Sequence, residues 1–525
     1  MAITQSQPST RPHSAKSRAW HWGVLIAAVA LVPLIVVQIL VARAGPILKG
    51  RVVETLRARF GSDVQLDSLQ VSISRQLSVT GTGLRIFPPP ELVAAGDATP
   101  VIAIGRFDFE APFSGLMFKP MHIGAVRVRN LAINVPPANM RRLARSHERQ
   151  LGKVKIKVDT IVCEDSQLVI GTDKPDKDPR VFSLRHVVLH DVGPQVGWPF
   201  DALLTNPVPE GEIHAIGTFG PWNTESPGDS KVNGKYQFEH ADLNSIRGLG
   251  GILRSTGTLD GQLDRIAVRG ETWVPDFSLD TANHPMPLST SFAAVVDGTT
   301  GDTYLHQIDA TLGSSRFSCS GAVVNVKGRG HNINLKVDVP DGKIQNLLKL
   351  VVKSEPAEMS GVVTANAAMD IEAGDQSVSK RMKMKGSFSV QAIHFTDPAL
   401  EDKIDILSLR ARGETDNLKP GAPDVTSRMT GEFDMGRGEL HFSRLDYSLP
   451  GGEIHLKGAY TLEGRRYDFV GHVRTKAELS QMVASKWKRI LLKPLDPFFS
   501  KHGAGAEIPV RISGANGKPR FGLHF

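Results

Sequence analysis

Apolar and polar residues alternate one by one along most of this chain, and no other feature restricts its fold as tightly. In Gly451–Thr475 (GGEIHLKGAYTLEGRRYDFVGHVRT), Ile454, Leu456, Gly458, Tyr460 and Leu462 share one parity, while His455, Lys457, Ala459, Thr461 and Glu463 share the other. A strand sends successive side chains to opposite faces, so this pattern reads as a strand with one apolar face. After a turn at Gly464, Tyr467, Phe469, Gly471 and Val473 resume the alternation, which makes the stretch a hairpin. SDVQLDSLQVSISRQLSVTGTGLRIF repeats the style through Val64, Leu66, Leu69, Val71, Ile73, Leu77, Val79, Leu84 and Ile86. So do AVRVRNLAINV, KVKIKVD, NINLKVDVP and RMKMKGSFSVQ. With 50 Gly and 33 Pro among 525 residues and 22% charged, the composition favours many strands and turns over a helix bundle or a disordered chain. PPPELVAAGDATP (Pro88–Pro100) reads as a loop, and no long polar linker marks an internal domain boundary.

A second pattern stands apart from the strands. Residues 23–42, GVLIAAVALVPLIVVQILVA, carry no charge over about 20 residues, the length a helix needs to cross the hydrocarbon core. The stretch is longer than a signal-peptide apolar region, so it is read as an uncleaved transmembrane anchor rather than a cleaved leader. Leu48, Val52, Leu56 and Phe60, with Val53, predict an amphipathic helix directly after it. Three further short helices are predicted in ADLNSIRGLGGIL (Leu243, Ile246, Leu249), DGKIQNLLKLVV (Ile344, Leu347, Leu348, Val351) and AELSQMVASKWKRILL (Leu479, Met482, Val483, Trp487, Ile490). Each precedes an extended segment that begins at a glycine, Gly257, Gly361 or Gly505, in the manner of a degenerate repeat.

Catalytic and metal-binding patterns are not found in the sequence. It holds no G-x-S-x-G, H-E-x-x-H, Walker A or dinucleotide fingerprint. His186 and His190 have a four-residue spacing that suits a metal on a helix, but RVFSLRHVVLHDV reads as a strand, where the two rings stand about 13 Å apart. His394, His441, His455 and His472 are scattered through strand patterns, and Cys163 and Cys319 fit no zinc or redox spacing and read as small core residues rather than a disulfide. The expected site therefore has no catalytic, cofactor-binding or metal residues. The net charge of +8 and the basic run RRLARSHERQLGKVKIK (141–157) suit a solvated face or acidic lipid headgroups better than nucleic acid, because no aromatic residues interleave with the charges.

Two regions carry a resemblance. RFGSDVQLDSLQVSISRQLSVTGTGLRI after the anchor is similar to the N-terminal entry of the AsmA family, relatives of TamB and the chorein-type bridge-like lipid transfer proteins. GEFDMGRGELHFSRLDYSLPGGEIHLKGAYTLEGRRYDFVGHVRTKAELSQM, followed by KPLDPFF, GAGAEIPVRISG and GKPRF, resembles the family's C-terminal region in the same order. The resemblance implies a mainly β chain, with a long, curled, antiparallel-rich sheet forming a hydrophobic groove behind a transmembrane helix, and a few short amphipathic helices. It implies residence in the cell inner membrane as a single-pass protein with the bulk of the chain in the periplasm. It also implies phospholipid or another acyl-chain lipid as the partner, no cofactor, and a role in moving lipid between inner and outer membranes during outer-membrane biogenesis. At roughly 25–30 strands and about 4.8 Å each, such a sheet would reach on the order of 120–140 Å, so periplasmic or outer-membrane partner proteins are expected to complete the path.

The expected organisation is a cytoplasmic tail (1–22), the anchor (23–42), an entry helix and first strands (43–87), a repetitive β-region (88–430) and the AsmA-like C-terminal region (431–525). Ile454, Leu456, Tyr460 and Leu462 are the candidate lipid-facing residues. Two other classes fit the same sequence: an assembly factor that carries no lipid, and a tethered polysaccharide hydrolase, which would need converging carboxylates. The anchor reading predicts that alkaline phosphatase fused at any of several sites after Arg43 is active in a diderm host; inactive fusions throughout would reject the topology.

Overall fold

The computed structural model describes residues 49–523 except 59–60, 74–75, 89, 95–97, 112–120, 138, 140–155, 194–196, 222–225, 416–424, 463–465, 484–492, 497–504 and 516–517. The expected tail and anchor, and nearly all of the basic run, lie outside the described residues; among those described, no helix is long and apolar enough to cross a membrane.

Strands β1 (Val64–Gln65), β2 (Ser68–Ile73), β3 (Leu77–Ile86), β4 (Ile102–Ala111) and β5 (Met121–Val135) come first. Next are β6 (Ile156–Ile170), β7 (Arg180–Val192), β8 (Trp198–Pro207), β9 (Glu210–Phe219) and β10 (Lys231–Asp242). The middle holds β11 (Leu249–Gly250), β12 (Ile252–Gln262), β13 (Arg265–Leu279), β14 (Met286–Val296), β15 (Thr303–Leu312), β16 (Ser315–Val326) and β17 (Gly330–Lys343). The last are β18 (Met359–Ile371), β19 (Met382–Phe395), β20 (Ser427–Gly436), β21 (Glu439–Leu449), β22 (Gly452–Thr461), β23 (Arg466–Thr475), β24 (Ala506–Ala515) and β25 (Lys518–Leu523). One mixed, unclosed sheet of 24 strands holds all but the two-residue β11, which pairs with β13, and strand accounts for 65% of the residues against 13% helix.

Strands pair with their neighbours in the chain, save that β1 pairs with β3, β10 with β12 and β11 with β13, and every pairing is antiparallel except β5 with β6. The sequence pattern gave no sign of that reversal. Where register slips in β10 and β19, His240 and Ala392 take φ of 53° and 51°, and such bulges sharpen the local twist and bend.

The bends bring distant edges together. The loop after β6 meets the loops after β14 and β16: Lys327 N–H donates to Asp176 O at 2.8 Å and Gly328 N–H to Asp178 Oδ2 at 2.7 Å. The segment after β10 meets the one after β18, with Val378 N–H donating to Arg247 O at 3.0 Å. On a flat sheet, partners seven strands apart would lie about 35 Å from each other.

The helices sit on the edges. Helix α1 covers 49–58, as predicted, and α2 (Pro90–Ala94) occupies part of the stretch read as a loop. Helix α3 (Ile344–Val351) forms where predicted, and α4 (Val378–Arg381) precedes β19. The longest, α5 (Pro398–Arg412), escaped the sequence reading although its signals are plain: an Asp397 cap accepting from Ala399 N–H, Pro398 in the first turn, and Gly413 at φ 80°. Two predicted helices are corrected. ADLNSIRGLGGIL is a 3-10 turn (Leu243–Ser245) followed by β11, because Gly248 and Gly251 adopt φ of 100° and 120° and break the coil. In AELSQMVASKWKRILL the described residues 477–483 make turns pinned by Ser480 N–H to Asp496 Oδ1 at 2.8 Å; Trp487 and Ile490 lie outside the described residues.

One seam holds a buried ion pair. Lys177 Nζ lies 2.8 Å from Asp302 Oδ1 and 2.6 Å from Asn325 O, with the two side chains 5% and 7% exposed. Desolvation alone would raise the Asp302 carboxyl, but the Lys177 bond, the Asn325 N–H and the Lys177 charge hold it below the ordinary carboxylate range. Its depressed value means that the pair's contribution is complete at neutral pH and is lost as pH falls through that lowered value. Asp302→Ala strands a buried ammonium and should destabilise the seam by about 3–5 kcal/mol, whereas Lys177→Met with Asp302→Leu should be near neutral. Denaturant unfolding, with proteolysis of the loop after β6, checks both.

Candidate functional site

Register carries the one-residue alternation across strands. Starting from Leu69, one row passes through Gly81, Phe107, Val128, Cys163, Val187, Ala202, Ala215, Tyr236, Gly257 and Gly270. It continues through Phe292, Ile308, Cys319, Val337, Ala367, Gly386, Phe433, Phe442, Gly458, Phe469, Ile512 and Phe521. No charged residue interrupts it from β2 to β25. Aromatic rings lie over the glycines beside them, so that a Cβ on Gly81 would stand 2.2 Å from Phe107 and one on Gly431 2.6 Å from Phe388.

The opposite parity is polar and exposed. In β10, Lys231, Asn233, Lys235 and Gln237 are exposed, while Val232, Gly234, Tyr236 and Phe238 are half-buried. Cross-strand ion pairs lace this face: Arg511 meets Asp468 through two bonds of 2.9 and 2.8 Å, and Arg129 Nε lies 2.7 Å from Glu164.

Full burial on the apolar side is local. Val339, Val363, Val390, Ile393, Tyr447 and Leu449 form one cluster, closed by Ile344 and Leu347 of α3 and Ile404 and Leu407 of α5. Val128, Cys163, Val187 and Ala202 form a second. Ile371, Val378, Met382 and Met435 form a third, against Ile246 and Leu249 from the segment after β10. Each closing element packs on the apolar parity, so the bends and edge helices fold over that face. Between the clusters, large apolar side chains stay half-buried, and no second sheet exists among the described residues to cover them.

Ile454, Leu456, Tyr460 and Leu462 all occupy the apolar parity and are half-buried. Ile454 stands between Tyr447 and Val473, Leu456 between Leu445 and Gly471, and Tyr460 between Leu440 and Tyr467. Ile454 packs against the first cluster and Leu462 against the third, so the four residues span the width of the sheet rather than gathering at a point.

The titratable groups of the polar face are knitted together. His186 and His190 are exposed on β7, and no group of ligands among the described residues could hold a metal ion. Four further strand histidines have carboxylate neighbours: His394 with Glu401 at 3.2 Å, His441 with Glu439 at 3.6 Å, His455 with Asp446 at 2.8 Å and His472 with Glu507 at 3.5 Å. Three of these partners come from other elements, so one-dimensional spacing could not reveal them. Cys163 and Cys319 are free thiols; burial pushes Cys163 up to about 11, and burial with the Asp309 charge raises Cys319, so both stay protonated.

The chain matches no family model, no curated protein and no solved structure.

Uneven cover has a measurable consequence. Val363 and Val390 are each 1% exposed, so Val363→Asp should cost several kcal/mol. Leu456→Asp, on a half-buried stretch of the same face, should cost far less and leave the protein folded. Thermal unfolding of the two variants separates a locally covered face from a uniformly packed core.

Proposed function

We propose that this chain is a membrane-anchored, AsmA-like lipid-binding protein whose apolar face forms a groove for acyl chains. One observation carries the reading: an apolar face runs without a charge through the central row of the sheet, yet stays half-buried between its clusters with no second sheet over it among the described residues. In water such a surface is costly at about 25 cal/mol per Å², and contiguous apolar surface of this extent marks a binding site. Acyl chains suit it because they are unbranched, need no hydrogen bonds and can slide from strand to strand. The bends and edge helices that fold over the apolar side narrow it into a trough.

The anchor at 23–42 would fix one end in the inner membrane and place the sheet in the periplasm, where the groove conducts phospholipid toward the outer membrane. In this reading the chain catalyses no reaction, and a lipid passes from one apolar environment to another at little net cost.

The test is mass spectrometry of lipids that copurify with the full-length protein. Phospholipid at or above one molecule per chain is expected from the wild type, a marked loss from Leu456→Asp, and no change from outward-facing Lys457→Asp. Absence of lipid from correctly folded wild-type protein would shift the reading to an assembly factor that carries none.

A further inference from the structure

One charged side chain breaks the apolar parity. Among the paired described residues, Arg180 is the only Lys, Arg, Asp or Glu found on it, opposite Ile170 and two residues before Phe182, which pairs with Leu168. Its guanidinium lies 5.3 Å from the Phe182 ring centre and against the loop after β14, where a Cβ on Gly301 would stand 3.2 Å from Nη1. Gly301 has φ 82°, so that loop both needs glycine and leaves the guanidinium its space.

The surrounding charges do not balance. The Lys177 ammonium is matched by Asp302 and Asn325 O. Arg180 forms no hydrogen bond or ion pair among the described residues, and its Nε is buried without an acceptor. Burial lowers its affinity for the proton, but a guanidinium remains charged. His331 is held toward its neutral form by burial and then by the Arg180 charge, so it adds no compensating group. Stacking on Phe182 explains where the side chain lies; it does not explain a charged guanidinium whose Nε is buried without an acceptor.

We propose that Arg180 binds a phosphate group at the edge of the apolar face, its planar fork meeting two phosphate oxygens while Phe182 and Leu168 continue the face beneath. The phosphate can belong to a free anion or to the head of an amphiphile whose chains lie along the rows; the second source rests on the groove reading given above. A site of this kind would favour a phosphorylated headgroup over an uncharged one with identical chains, which the apolar rows by themselves cannot distinguish.

The experiment uses full-length protein purified in detergent, stripped of lipid, as wild type, Arg180→Met and Arg180→Lys. Three probes are titrated: inorganic phosphate, phosphatidylglycerol in mixed micelles, and a diacylglycerol with the same chains. Arg180→Met should weaken phosphatidylglycerol binding about tenfold or more. It should leave diacylglycerol binding unchanged and keep or raise the melting temperature, since it removes an unpaired, partly dehydrated charge; Arg180→Lys should fall between. Arg180-dependent binding of inorganic phosphate, with phosphatidylglycerol affinity the same in wild type and Arg180→Met, assigns the site to a free anion. If the wild type binds neither lipid but still binds phosphate through Arg180, the groove reading fails and the anion site stands. Equal binding of phosphate and phosphatidylglycerol by wild type and Arg180→Met, with a lower melting temperature for the variant, overturns the proposal and makes Arg180 a packing residue.

Discussion

Cross-strand register is the constraint on which the rest of this structure depends. A one-residue slip at any pair would turn the whole apolar set of that strand to the polar side. The row from Leu69 to Phe521 stays uncharged because each antiparallel pairing preserves parity, and because register slips, as at Phe238/Ala241 and Gln391/Ile393, restore it before the strand ends. The parallel β5–β6 pair keeps parity as well, with Val128 beside Cys163. A single layer of this kind has no opposing sheet to correct an error, so its two faces must be specified strand by strand.

A one-layer sheet with one apolar face is not stable as a flat plate, and the molecule relieves that instability by bending. Bulges supply curvature, edges seven or so strands apart meet, and α3 and α5 close over the first cluster. The first and third buried clusters form where a helix or an edge segment reaches the apolar side chains, whereas the second is packed by neighbouring strands alone. The uneven burial is thus a product of geometry rather than of composition, since buried and half-buried positions carry the same residue types.

The two cations of the first seam show how one location separates a structural from a recognition role. Lys177 has a carboxylate and a carbonyl within hydrogen-bond reach and acts as a staple between edges. Arg180, three residues on, is half-buried, and its Nε has no acceptor among the described residues. Whatever satisfies it comes from outside the described residues.

By itself the sequence determined the strands, their two faces, the placement of Ile454, Leu456, Tyr460 and Leu462 on the apolar one, and helices α1 and α3, because all of these follow from local periodicity. It also contained the signals of α5: Asp397, Pro398 and Gly413 mark its ends, and Leu400, Ile404, Leu407 and Ala411 stand at helical spacing, blurred by Ile406 and Leu409 on the other side. Only the tertiary structure decided the parallel β5–β6 pairing, the meeting of loops across seven strands, the carboxylate partners of the strand histidines and the isolation of Arg180. Each of these depends on twist and bending accumulated over many strands, and a pattern of period two holds no record of how far a sheet turns.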